Sequence, residues 1–223
     1  ENDVPYMGTI VLEKNGQYTT LVPDNDGKIT FQLRHGEKAQ LLGLPYGVDY
    51  TVDETAVAGY TTTSSGDTGT VQNGILHQAD FTNTYNAVGV LNLTATKTVN
   101  GETPNAEEVF SFRISGYEDV DYTVQNTGES IVFPALNYDL ADAGQNIIYT
   151  IAESKGDKSG YTYDATQYEI VVTVADAGDG TLTVTYTVNG AGSGDMFLKD
   201  QYAADGSVQF MGTKTLTGID LQA

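Results

Sequence analysis

The chain has no cysteine and no tryptophan, and only ten lysines and arginines among its 223 residues. Without cysteine, disulfides and thiolate metal sites are excluded, so any covalent reinforcement must come from other chemistry. The ten basic side chains stand against thirty Asp and Glu, a net charge of −20. A field of that sign repels phosphate backbones and anionic headgroups, which argues against nucleic acid and membrane surfaces as partners. No apolar run approaches the length of a membrane span, and the first residues carry no signal-peptide pattern. The two histidines, His35 and His77, lack metal-ligand spacing. A Gly-x-Ser-x-Gly elbow and a phosphate-cradling glycine loop are also missing. Turnover of an outside substrate is therefore not expected, and no cofactor or metal is implied.

What the chain does have is strand formers. Fifteen Tyr and seven Phe sit among many Val, Ile and Thr, and the pattern alternates with period two in KITFQL (28–33), QADFTNTY (78–85), YEIVVTV (168–174) and TLTVTYTV (181–188). Turn signals separate these runs: DNDGK (24–28), DAGDG (176–180) and NGAGSG (189–194). The first is too short for a calcium loop and reads as a hairpin turn. No window shows a helical stripe; GETPNAEEVF (101–110) has room for one helical turn. The class is all-β, and strands at this spacing predict Ig-like sandwiches. The tyrosines alternate as strand residues, so core and cross-strand packing explains them better than a binding surface.

The chain repeats itself. YNAVGVLNLTATKTVNG (85–101) aligns without gaps on YAADGSVQFMGTKTLTG (202–218), so that Tyr85, Gly89, Thr96, Lys97, Thr98 and Gly101 recur as Tyr202, Gly206, Thr213, Lys214, Thr215 and Gly218. YTVDETAVAGYTTT (50–63) pairs with YTIAESKGDKSGYTYD (149–164), each a strand bearing Glu, a loop, then Gly-Tyr-Thr. ADFTNTY (79–85) pairs with MFLKDQY (196–202) through the closing tyrosine. The expected organisation is a sandwich over 1–86 that lacks its lysine strand, a complete sandwich over 87–204, and a lysine strand over 205–223. That last strand belongs either to a further domain or to a neighbouring molecule.

One full set of Lys97, Glu153 and Asp200 falls inside 87–204. Each lies in a strand, and alternation puts Asp200 on one face with Leu198 and Tyr202, as it puts Asn83 with Phe81 and Tyr85. Burial together would push the lysine toward the neutral amine and the carboxyls toward the acid form. A neutral amine is a nucleophile, and a protonated carboxyl or a carboxamide is its electrophile. A neighbouring Glu can shuttle the protons. Held in contact, such groups reach effective molarities of about 10⁵–10⁸ M. The product is a Lys–Asp or Lys–Asn amide tying the first strand of a sandwich to its last.

TATKTVNG and GTKTLTG, the YTVDE and YTIAE strands, the Gly-Tyr continuation and the closing FTNTY resemble the streptococcal pilin isopeptide-linkage family, related to Cna B-type domains of Gram-positive surface proteins. The likeness spans nearly the whole chain. It implies an amide from Lys97 with Glu153 as catalyst, and Glu54 with Asn83 as the corresponding pair in the first domain. This sequence departs from the pattern at Asp200, where the family has Asn. Aspartate would lose water instead of ammonia, and a register slip of one residue would bring Lys199 there and forbid the bond. The resemblance further implies an extracellular, cell-wall or cell-surface protein: a pilus or fibre subunit, or the stalk of a repetitive adhesin. An adhesin domain that binds a glycan or host protein is the rival. The first domain has no lysine strand of its own, because Lys14 sits at the EKNGQ turn and reads as a solvated charge. Lys214 would therefore bond either within a downstream domain or, in trans, to Asn83 of another copy under catalysis by Glu54.

Overall fold

The computed structural model describes residues 5–206 and 208–213, and nearly all its regular structure is strand. The all-β class holds. Two units form, Glu1–Asn86 and Ala87–Ala223.

The first unit contains β1 (Ile10–Lys14), β2 (Gln17–Leu21), β3 (Ala39–Leu42), β4 (Asp49–Thr51), β5 (Tyr60–Ser65), β6 (Thr68–Thr70) and β7 (Asp80–Tyr85). These make three small sheets, in the orders β2-β1-β3, β4-β6 and β5-β7. β1 and β2 close through Asn15-Gly16, both left-handed with φ 53° and 76°. Asn-Gly suits that two-residue turn, since glycine takes positive φ without steric cost and asparagine tolerates it. Ile10 and Leu12 are buried, yet Tyr46, Leu76 and Val57 stay largely exposed. The expected strand over 28–33 does not form a ladder. Ile29 and Phe31 keep the alternation, half-buried between exposed neighbours. In the second unit the SIV segment (Ser130–Val132) forms a ladder, among the described residues, with the lysine strand Thr94–Val99 alone. DNDGK is a turn closed on itself: Asp24 Oδ1 accepts from the amides of Asp26 and Lys28.

The second unit contains β8 (Val88–Leu91), β9 (Thr94–Val99), β10 (Ser111–Gly116), β11 (Asp121–Gln125), β12 (Ser130–Val132), β13 (Leu136–Asp139), β14 (Ile147–Ser154), β15 (Tyr161–Thr162), β16 (Gln167–Asp176), β17 (Leu182–Val188) and β18 (Phe197–Tyr202). A five-stranded sheet runs β11-β10-β14-β16-β17 and a four-stranded one β12-β9-β18-β15, with β13-β8 as a short pair. Phe112, Ile114, Ile151 and Ile170 of the first sheet, and Ala95, Ile131 and Leu198 of the second, are buried. Each such side chain contributes about 1.5–3 kcal/mol on leaving water. The helical turn expected in 101–110 is absent; short 3₁₀ turns occur instead at Tyr117–Asp119 and Leu140–Asp142. The second of these is capped by Asp139, whose carboxylate accepts from the Ala141 amide.

β9 lies between β12 and β18. It runs antiparallel to β12 and parallel to β18, with Leu198 opposite Lys97 and Asp200 opposite Val99. A parallel neighbour joins the first long strand of the unit to its last. That pairing sets the register of the chemistry described next.

Candidate functional site

Alternation along β9 turns Ala95, Lys97 and Val99 inward. Lys97 therefore enters an apolar interior, and its ammonium position is defined by four neighbours. Nζ lies 2.6 Å from Glu153 Oε2 and 2.5 Å from Asp200 Oδ1. It also sits 4.6 Å from the ring centre of Phe110 and 5.8 Å from that of Phe112. All three polar side chains have no solvent exposure; what exposure Glu153 retains is in its backbone. Phe110 is held by Asn126, whose Oδ1 accepts from the Phe110 amide while its Nδ2 donates to the carbonyls of Glu108 and Gly128.

Three ionisable groups without water cannot all carry charge at no cost. Burial pushes the Glu153 carboxyl up to about 7, against the hydrogen bond and charge of Lys97, and the Asp200 charge adds to the rise. Glu153 Oε1 and Asp200 Oδ2 have no hydrogen-bond partner. Burial and the neighbouring Asp200 charge favour the protonated form of Glu153, which is the state suited to general acid work. The second oxygen of Asp200 is better served: Oδ1 accepts from the Asp164 amide at 2.9 Å. Asp164 in turn uses its side chain to accept from the amides of Lys199, at 2.6 Å, and Thr166, at 2.8 Å. Burial opposes ionisation of Asp164, but those hydrogen bonds outweigh it and hold its pKa below the usual value. Lys199 itself points outward over the Phe197 ring, so Asp200 and not Lys199 faces the amine.

The first unit has a related but open arrangement. Asn83 Nδ2 donates to Glu54 Oε1 at 2.8 Å, and Thr62 Oγ1 donates to Asn83 Oδ1 at 2.6 Å. The register matches that of the second unit. Tyr60 opposes Tyr85 as Tyr161 opposes Tyr202, with ring centres 5.0 and 4.7 Å apart. The Asn86 amide bonds the Gly59 carbonyl as the Ala203 amide bonds that of Gly160. Yet Glu54 and Asn83 are exposed, in a cleft of about 100 Å³ lined by Glu54, Thr55, Val57, Tyr60, Thr62 and Asn83. No lysine lines it. Lys14 is elsewhere, 2.6 Å from Glu37 and bonded to the Gln32 carbonyl. Among the described residues β7 pairs with β5 alone, whereas β18 has both β15 and β9. Lys214 lies outside the described residues.

Sequence reasoning named the lysine, the glutamates and the electrophiles but not Phe110, Thr62 or Asp164. The Gly-Tyr-Thr repeat was the available signal for Thr62, which lies across from Asn83; Asp164 falls one residue beyond the position across from Asp200.

Residues 93–205, more than half the chain, match the family described as Spy0128-like isopeptide-containing domains, and that span holds Lys97, Glu153 and Asp200. Residues 1–85 match a domain of unknown function, DUF7601. No curated protein matches the chain. With an all-β sandwich built around an enclosed lysine and two carboxyls, the chain belongs to the Spy0128-like isopeptide-containing family of pilin-like surface-protein domains.

Proposed function

We propose that this protein is a structural subunit of a Gram-positive surface pilus or fibre, or of an adhesin stalk, whose second unit locks itself with an amide from Lys97 to Asp200. The observation that carries the reading is the contact of the Lys97 amine with both carboxyls in a site without water. Lys97 Nζ attacks the Asp200 carboxyl carbon once a proton has passed from the ammonium to the carboxylate, the C–N bond forms, and Oδ2 leaves as water, its second proton delivered by Glu153, which recovers one from Nζ. The net change is one ammonium and one carboxylate converted to one amide and one water, with no oxidant or cofactor. The locked pair ties β9 to β18, neighbours through which a pull on the ends of the unit would run, so the strands cannot shear apart. Such a lock supplies in a cysteine-free chain what disulfides supply elsewhere. It is made once per molecule, so the protein is not an enzyme in the turnover sense.

In this reading the first unit is completed by a lysine strand from a neighbouring copy. The open cleft, β7, which among the described residues pairs with β5 alone, and the ladderless 28–33 segment would each be served by one element, a counterpart of β9. The stretch 205–223 is of that type. Val208 is 72% exposed and Phe210 90%, whereas their counterparts Leu91 and Leu93 are buried at 6% and 1%. Added along β7 of a neighbouring copy, this strand would satisfy the open edge and bury both side chains. Lys214 would then bond Asn83 in trans with Glu54 as the acid–base group, losing ammonia. A head-to-tail contact of this kind does not close and builds filaments. Incubated at high concentration, the protein should give a ladder of multimers that survives boiling in detergent, and Asn83→Ala should abolish it. Monomer alone from the unsubstituted chain would remove strand donation from the account and leave the Lys97–Asp200 lock untouched.

A further inference from the structure

In both units one oxygen of the electrophile accepts from a donor other than the attacking amine, and the two donors are chemically unrelated. In the second unit it is the backbone N–H of Asp164 on Asp200 Oδ1. In the first it is the hydroxyl of Thr62 on Asn83 Oδ1. The other atom of the electrophile is left to the glutamate: Glu54 accepts from the Asn83 amide nitrogen, which is the leaving atom, and in the second unit Asp200 Oδ2 and Glu153 Oε1 are both buried without a hydrogen-bond partner. Division of labour follows from this layout. A tetrahedral intermediate places negative charge on the oxygen that remains, and it needs a proton on the group that departs. We propose that the Asp164 backbone N–H is the oxyanion-stabilising donor for locking of the second unit, with the Thr62 hydroxyl in the same role in the first. The proposal rests on the amide-forming reading above.

The step balances as follows. A proton first passes from Nζ to Asp200 Oδ2, leaving a neutral amine and a carboxylic acid; Nζ then adds to the Asp200 carboxyl carbon, and the C=O electron pair moves onto Oδ1, where the Asp164 N–H receives it. The pair then returns, expelling Oδ2, which takes a proton from Glu153 and leaves as water while Glu153 recovers a proton from Nζ. The product carbonyl is Oδ1, still bonded to Asp164, and the product N–H faces Glu153 Oε2. Asp164 earns a second, positioning role through its side chain. By accepting from the Lys199 and Thr166 amides it fixes the turn so that its own N–H meets the residue next to Lys199.

The test replaces the 163–164 peptide bond by an ester, which deletes this N–H and leaves every side chain in place. The chain is assembled by ligation, kept unfolded in denaturant, refolded by dilution, and followed by intact mass. Removal of one such donor lowers the chemical step by about 100-fold or more, so locking of the folded ester chain should slow by that factor. An ester at 177–178 deletes the Gly178 amide, whose hydrogen bond to Asp176 Oδ1 closes a turn that has no part in the site, and should lock within about threefold of the unmodified chain by the same reasoning. Equal rates for the 164 ester and the unmodified chain would overturn the assignment, as would equal slowing by both esters. Should the 164 ester fail to fold, the locked natural chain answers by NMR: a scalar coupling across the hydrogen bond from the Asp164 amide to the Asp200 side-chain carbonyl is expected, and its absence overturns the proposal. If the unmodified chain never loses mass, the amide-forming reading itself has failed, which is a distinct result.

Discussion

Glu153→Gln leaves the chain at its full sequence mass after refolding, while the unsubstituted chain drops by about 18 Da, the mass of one water. Glutamine keeps the shape and can still bond Lys97, but it cannot donate a carboxyl proton to the departing oxygen or take one from the amine. General acid–base groups contribute about 10²–10⁴-fold to such steps. Proximity alone would still favour the amide, so slow conversion over long incubation is compatible with the role and rapid conversion is not. The pH dependence has a fixed sign. Glu153 acts in its protonated form, and burial has raised it to about 7, so the locking rate should hold below that pH and fall as pH rises through it. The same shift acts on the unlocked fold. A carboxyl raised from 4.5 to about 7 binds its proton more tightly folded than unfolded, so its contribution is complete below 4.5 and is lost as pH climbs through 7. A locking rate that rose steadily from pH 6 to 9 would contradict the assignment of Glu153 as the acid.

Lys97→Met produces the larger loss of stability. The methionine fills most of the volume and stays apolar, so the change is dominated by the missing link and by two acids left without a cation. Closing a loop of about a hundred residues in the unfolded chain is worth about 4–5 kcal/mol in the chain-entropy description, and an amide closes the 97–200 loop as a disulfide would. For a domain of this size that corresponds to a melting temperature lower by about 15–20 °C. The Asp200 acid, no longer tied up in an amide, adds to this, since a buried charge left without its partner costs about 3–5 kcal/mol unless it protonates. The calorimetric transition of the second unit is the observable, and a shift of only a few degrees would mean that no link was present to lose.

Much of this was legible in the residues. Period-two alternation marked β16, β17 and β7, and the recurrent Gly-Tyr and closing Tyr fixed the register that now pairs Tyr60 with Tyr85 and Tyr161 with Tyr202. Because a strand has period two, that register also decided that Asp200 faces inward and Lys199 outward. Two things were not legible. Residues 28–33 have a strand's pattern without a strand's hydrogen bonds, because pairing depends on a partner that local sequence does not specify. The donors on Oδ1 were hidden for a different reason: a backbone N–H carries no side-chain signature, and Thr62 is one threonine among many. Phe110 was hidden in the same way, since an aromatic that packs against an amine reads like any other core residue.

The most direct measurement is the intact mass of the purified, unsubstituted chain, followed by sequencing of its proteolytic fragments. The account predicts a mass lower than the sequence requires by about 18 Da and a branched fragment in which the side chains of Lys97 and Asp200 are joined. Full sequence mass, with Lys97 and Asp200 recovered in separate unmodified fragments, would contradict it.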